Sequence, residues 1–189
     1  VMADQTANAA YVAADLLSQA EHGADSQVLL VSKDESFVKA VQQELTKQLA
    51  MLPRKEMAEK ALANSKAIVL ENWEDAVELV NEYAAEHLIL SCEDADAIAE
   101  KITNAGSVFI GQYSPESVGD YASGTNHTLP TNGFAKAYSG VSLDSFVKKI
   151  TYQKLSAEGL QNIAATVVAM AEAEGLEAHA QAVRIRMQH

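Results

Sequence analysis

With 189 residues, 48% of them apolar, the chain is long enough to bury a full core and is globular rather than disordered. A formal net charge of −12 excludes a nucleic-acid partner, which would require a basic patch to release counterions. No apolar run reaches bilayer length, no signal-peptide pattern opens the chain, and the single Cys92 cannot close an intrachain disulfide; the expectation is a soluble cytoplasmic protein with no membrane contact.

Val1-Met2-Ala3 reads as the tail of a strand, which predicts that the polypeptide continues upstream. Asp4 to Thr6 offer N-cap chemistry, and Ala9, Val12, Ala13, Leu16, Leu17 and Ala20 follow helical spacing, with Gly23 suited to the C′ position. Val28-Leu29-Leu30-Val31 has the continuous apolar character of a strand covered on both faces. A helix is predicted over Glu35 to Leu52, broken by Pro53, which can open another helix to about Asn64. Then come strand Ala67-Ile68-Val69-Leu70, an Asn72-capped helix to Tyr83, strand His87-Leu88-Ile89-Leu90, helix Asp94 to Asn104 and strand Ser107-Val108-Phe109-Ile110. Strands alternating with helices of about ten residues imply a doubly wound, Rossmann-like α/β fold with a mostly parallel sheet, although no G-x-G-x-x-G is present to bind a dinucleotide. Helices are expected again over Ser142 to Lys149, Ser156 to Met170 and Leu176 to Met187. The predicted organisation is therefore an α/β domain over residues 1–140 and a helical tail over 141–189, which has no sheet of its own to cover.

The run Glu116 to Thr131 stands apart. It crowds carboxylates, His127, glycines, small hydroxyls and Asn126 between a strand and Pro130, with no amphipathic period, and it reads as a functional loop. Tyr113, Val118, Tyr121 and Leu129 are its expected apolar anchors, and in open α/β sheets ligands gather beyond the carboxyl ends of strands. Three further pairs carry chemistry. Gln19 and His22, three apart near a helix end, can share one side and offer a metal an amide oxygen and an imidazole, or His22 can merely complement the helix dipole. Glu86-His87, at a helix-to-strand junction, suits proton transfer, or is a solvent-facing junction pair; adjacent strand residues point to opposite faces, so one shared site requires irregular backbone there. Glu174 and His179 flank the start of the last helix, where an acidic helix N-terminus is the plainer reading. Cys92 and Trp73 read as packing residues.

Taken as a set, Asp15-Leu16-Leu17-Ser18-Gln19-Ala20-Glu21-His22-Gly23, Glu86-His87-Leu88, the Gly119 to Thr131 loop and Ala178-His179 after Glu174 resemble histidinol dehydrogenase, in order and in spacing. The resemblance runs over essentially the whole chain and corresponds to the C-terminal part of such an enzyme. It implies zinc bound by Gln19, His22, Asp120 and His179, the last delivered by the partner in a homodimer that exchanges its helical tails. It implies Glu86 and His87 as the catalytic acid/base pair. The substrate-binding group would be Gln19, His22, His87, Asp120, Glu174 and His179, with Glu174 also reaching across the dimer. The implied reaction is oxidation of L-histidinol through L-histidinal to L-histidine, two NAD molecules each taking a hydride. The family's NAD contacts and a substrate-binding serine lie upstream of Val1, and its first domain is assembled from two segments of which only the second is present, so this chain alone is expected to be inactive. Two other classes stay open on the residues themselves: an autonomous, non-catalytic metal-binding or dimerisation module, and a zinc hydrolase using Glu86 as base.

Overall fold

The computed structural model describes residues 1–188, grouped in two compact units that divide after Phe146. In the first unit, strands β1 (Met2–Ala3), β2 (Leu29–Ser32), β3 (Lys66–Val69), β4 (His87–Ser91) and β5 (Ser107–Ile110) form one sheet of order β3-β2-β1-β4-β5, parallel throughout. That order is the Rossmann order without its sixth strand.

The helices cover both faces. Helices α1 (Ala9–Ala20), α2 (Glu35–Leu49) and α3 (Lys55–Ala63) pack Val12, Leu16, Leu17, Phe37, Val41 and Ala58 against Ala3 and Leu30. On the opposite face α4 (Trp73–Tyr83) and α5 (Ala95–Ala99) bring Ala76, Val80, Ala95 and Ile98 onto Met2, Val31, Leu88 and Leu90. Strand alternation explains the division: Leu30 and Val31 belong to different layers, and so do Ala3 and Met2. Leu16 is 3% exposed, so truncating it to alanine costs about 2–5 kcal/mol. The buried Cys92, its thiol pushed up to about 12 by burial, hydrogen-bonds the Met2 carbonyl, as a packing residue should.

Several expected boundaries move, each for a local reason. Asn8, not Asp4 or Thr6, caps α1 by accepting from the Ala10 amide, while Asp4 turns to the amides of Thr6 and Glu93. The helix ends at Ala20 with Glu21 as C-cap, and Gly23 lies past it without a left-handed φ. Helix α5 stops at Ala99 instead of Asn104, because the Asn81 side chain takes the amides of Thr103 and Asn104 and donates to the Lys101 carbonyl. The run after β5 is not all loop: Glu116–Tyr121 forms a short helix, α6. Of its expected apolar anchors Tyr113, Val118 and Tyr121 are exposed, and only Leu129, half-buried against Gly106 and Gly140, packs; in α6 itself Glu116 and Gly119 are the buried residues. Of Ser142 to Lys149 only Leu143–Phe146 is helical, as a single 3-10 segment whose Leu143 and Phe146 are exposed and lend it no packed face.

The second unit contains α7 (Ala157–Ala173), capped by the Ser156 hydroxyl, and α8 (Glu177–Arg184), followed by a 3-10 turn at Ile185–Met187. Gly175, with φ +72°, makes the turn between them. Arg184 pairs with Glu172 across that turn and with Glu177 on its own helix. Among the described residues no helix is long and apolar enough to cross a membrane.

Candidate metal and proton-transfer site

Parallel connection places the carboxyl end of α1 at the amino ends of the strands. Gln19, on the last turn, and His22, just past it, therefore stand near the start of β4, where Glu86 and His87 sit. Helix α6 returns from β5 to the same edge and lies against α1: the Ser18 hydroxyl is 2.9 Å from Glu116 Oε2. The candidate site is thus at the amino-terminal edge of the sheet, not beyond the carboxyl ends where the general rule for open sheets placed it.

A cavity of about 860 Å³ opens there, lined by Val1, Leu29 and Ile89 from the strands and by Gln19, Glu86 and His87 among the candidate residues. Glu86 and His87 share it because Glu86 precedes the strand. Its carbonyl accepts the Ser107 amide, and Gly106 packs so closely that a Cβ would lie 2.5 Å from that oxygen. His87 has the inward register of Ile89, on the face opposite Leu88 and Leu90. Its side chain is 8% exposed, its ring lies 5.8 Å from that of Phe109, and neither ring nitrogen has a hydrogen-bond partner among the described residues. A buried imidazole without partners is costly unless something else binds there.

His87 Nε2 is 3.9 Å from Asp120 Oδ1, an ion-pair distance too long for a hydrogen bond. Asp120 belongs in turn to a cluster with His22 and Glu116, whose ligand-type atoms lie within 4.8 Å of one another. The Gln19 amide nitrogen is likewise buried without a hydrogen-bond partner among the described residues. Burial pushes the Asp15 carboxyl up to about 6, reinforced by the charge of Glu116. The edge is therefore rich in carboxylates and short of positive charge.

Gln19, His22, Glu86, His87 and Asp120 are brought together in this way. Glu174 and His179 belong to the second unit, where both are exposed, Glu174 as C-cap of α7 and His179 in the first turn of α8. His127 is exposed in the loop after α6. Glu116 was not singled out as a site residue. Its signal is the spacing of four to Asp120, which matters only once Glu116–Tyr121 is read as a helix.

The residues present suit a zinc ion: one imidazole, carboxylates and a buried amide at one locus form a nitrogen and oxygen donor set. They do not suit a dinucleotide. The β1–α1 connection, where a Rossmann fold cradles pyrophosphate, contains no glycine, and the Asp4 carboxylate already takes the amides of Thr6 and Glu93 there.

A sequence model of the family described as histidinol dehydrogenase matches residues 1–187. The histidinol dehydrogenase of Bacteroides fragilis (strain YCH46) is 56% identical over 188 residues, which are 100% of this chain and 44% of that protein. The chloroplastic histidinol dehydrogenase of Oryza sativa subsp. japonica is 55% identical over 189 residues, 100% of this chain and 40% of that protein. The crystal structure of histidinol dehydrogenase from Elizabethkingia anophelis superposes with a TM-score of 0.93 at 57% identity, over 99% of this chain and 43% of that one. The chain thus spans less than half the length of the proteins it matches.

Proposed function

The chain belongs to the histidinol dehydrogenase family, and from that premise we propose that, within a polypeptide of its relatives' length, it supplies the metal and proton-transfer half of an enzyme that oxidises L-histidinol through L-histidinal to L-histidine in histidine biosynthesis. The observation that carries the reading is that the cavity lined by Gln19, Glu86 and His87 adjoins the His22–Asp120 cluster, with His87 Nε2 3.9 Å from Asp120 Oδ1.

In this reading Gln19, His22 and Asp120 hold zinc, with His179 from the exchanged tail of a second subunit. The bound ion would orient the substrate through its imidazole and amine nitrogens. His87 removes the hydroxyl proton in the first oxidation. Its side chain is 8% exposed on the cavity wall, and Asp120 lies 3.9 Å from Nε2. Glu86, half-buried on the same cavity, takes a proton from the water that adds to the aldehyde before the second oxidation. Glu174 binds substrate from the partner's tail. Exposed Ile163, Met170, Leu176 and Ile185 support that exchange, because a tail with so much uncovered apolar surface gains by packing on another chain. In this reading NAD is held by residues outside this chain, in keeping with the glycine-free β1–α1 connection.

Metal content tests the assignment. His22→Ala and Asp120→Ala, introduced into a full-length polypeptide containing this chain, each lower zinc stoichiometry after dialysis and abolish NADH formation from histidinol. Unchanged stoichiometry in both variants removes the ligand assignment.

A further inference from the structure

Glu116 is buried, 2% exposed, yet receives at most one hydrogen bond from the described residues. That bond comes from the Ser18 hydroxyl, which has a single proton and lies 2.8 Å from the Asp15 carbonyl as well as 2.9 Å from Glu116 Oε2. A buried carboxyl with half a donor keeps acceptor positions that the described residues do not fill, and it lies beside the ligand-type atoms of His22 and Asp120. Three ligand atoms with no separation above 4.8 Å all lie within one-over-root-three of that length, about 2.8 Å, of a common point, against about 2.0–2.2 Å for a zinc bond to nitrogen or oxygen. Small side-chain rotations close that difference. Independently of the carboxylates, the buried and unpartnered imidazole of His87 points into the same cluster, 3.9 Å from Asp120.

We propose that Glu116 is a further metal-directed residue of this site, giving a carboxylate oxygen and its charge to the cation held by His22 and Asp120. The inference rests on the metal site proposed above and adds a residue to it. Ser18 lies on the last turn of α1, four residues before His22, which follows the helix end, and Glu116 is one turn before Asp120 on α6, so the Ser18–Glu116 contact ties together the two segments on which His22 and Asp120 converge.

Glu116→Gln keeps the shape and an oxygen for Ser18 but removes the charge. In the full-length polypeptide, competition against a chelator should show zinc affinity reduced at least tenfold, while the melting temperature of the metal-free protein is unchanged or raised, because a buried like-charge cluster has been relieved. Ser18→Ala, which keeps the charge, should reduce affinity less. Wild-type affinity in Glu116→Gln overturns the proposal. So does a fall in metal-free stability or a failure to fold, which would make Glu116 structural, and so does a loss in Ser18→Ala as large as in Glu116→Gln. If His22→Ala loses zinc while Glu116→Gln keeps it, the metal site stands and only this residue's role fails. If neither variant loses zinc, or the wild type binds none, both readings fail.

Discussion

Gly119→Ala separates packing from intrinsic preference at a position that governs Asp120. Gly119 is helical with no left-handed φ, so alanine should be favoured there by about 1 kcal/mol. The space opposes it: an added Cβ would lie 2.6 Å from Phe109 Cε1, 3.0 Å from Cζ and 2.9 Å from Thr125 Oγ1. Carbon atoms rest at about 3.5–4.0 Å, so roughly 1 Å must be found. Thr125 can rotate, at the expense of its bond to the Gly119 carbonyl. Phe109 has nowhere to go, being 8% exposed and packed on His87. The displacement therefore falls on α6. Overpacking costs about 1–3 kcal/mol, and subtracting the helical gain leaves about 1–2 kcal/mol. In a domain of this size that lowers the melting temperature by about 3–6 °C. Asp120 is the next residue, so zinc affinity should also fall about tenfold, the range seen when the support of a ligand is disturbed. Thermal unfolding and chelator competition measure the two effects, with exposed Ser117→Ala as the silent control. A Gly119→Ala protein as stable as wild type and with its affinity intact would refute the packing argument; a higher melting temperature would mean that Phe109 yields and propensity wins.

His87→Ala and Glu86→Ala in the full-length enzyme should damage different half-reactions: supplying histidinal exposes the Glu86 defect and supplying histidinol the His87 defect, and equal loss of both steps in both variants would end that division of labour. Mixing subunits carrying His179→Ala with subunits carrying His22→Ala should restore activity, because a heterodimer with exchanged tails pairs one intact tail with one intact helix; no recovery after verified mixing counts against exchange. Asp15, its folded carboxyl raised to about 6 chiefly by burial, stays protonated in the folded state where the unfolded state has already ionised; stability is greatest below about pH 4 and declines as pH rises towards 6. Asp15→Asn should flatten that decline and raise stability at pH 7 by roughly 1 kcal/mol, discounted because the side chain is partly solvated, and a pH-melting profile identical to wild type would discount the burial effect. The 189-residue chain given zinc and NAD should form no NADH from histidinol, since hydride transfer needs a held nicotinamide and no phosphate cradle is present; NADH above a zinc-free blank would show this half to be sufficient.

The fold was legible where one rule acted alone. Leu30-Val31 and Leu88-Ile89-Leu90 are apolar on successive residues because both sheet faces are covered, and Asn72 caps α4 through the Asp75 amide as its type suggests. Legibility failed where a distant residue overrode local preference. Nothing near Thr103 announces that Asn81 will take its amide and end α5, and nothing near Glu116 announces that Ser18, 98 residues earlier, will meet it. The site residues could be nominated by type, but convergence of His22 with Asp120 depends on α6 turning back along the sheet. Reading Glu116–Tyr121 as loop hid both that return and the spacing of four that makes Glu116 part of the cluster.

The edge at which these residues meet has an electrostatic logic. In a parallel α/β unit the helix N-termini gather beyond the carboxyl ends of the strands and favour anions, which is why phosphates bind there. Helix C-termini gather at the other edge and favour cations. Helix α1 ends at Ala20 and α4 at Tyr83, both beside the cavity that Gln19, Glu86 and His87 line. The C-terminus of α1, with Asp120 and Glu116 from α6, makes the amino edge a place of negative potential suited to a metal ion. The opposite edge presents Asp4, held by the amides of Thr6 and Glu93, where a phosphate would otherwise find donors. If the proposed site holds its cation at the amino edge, the Asp4 carboxylate at the opposite edge leaves no phosphate cradle there, and the division between metal and dinucleotide would follow from which helix ends face which side of the sheet.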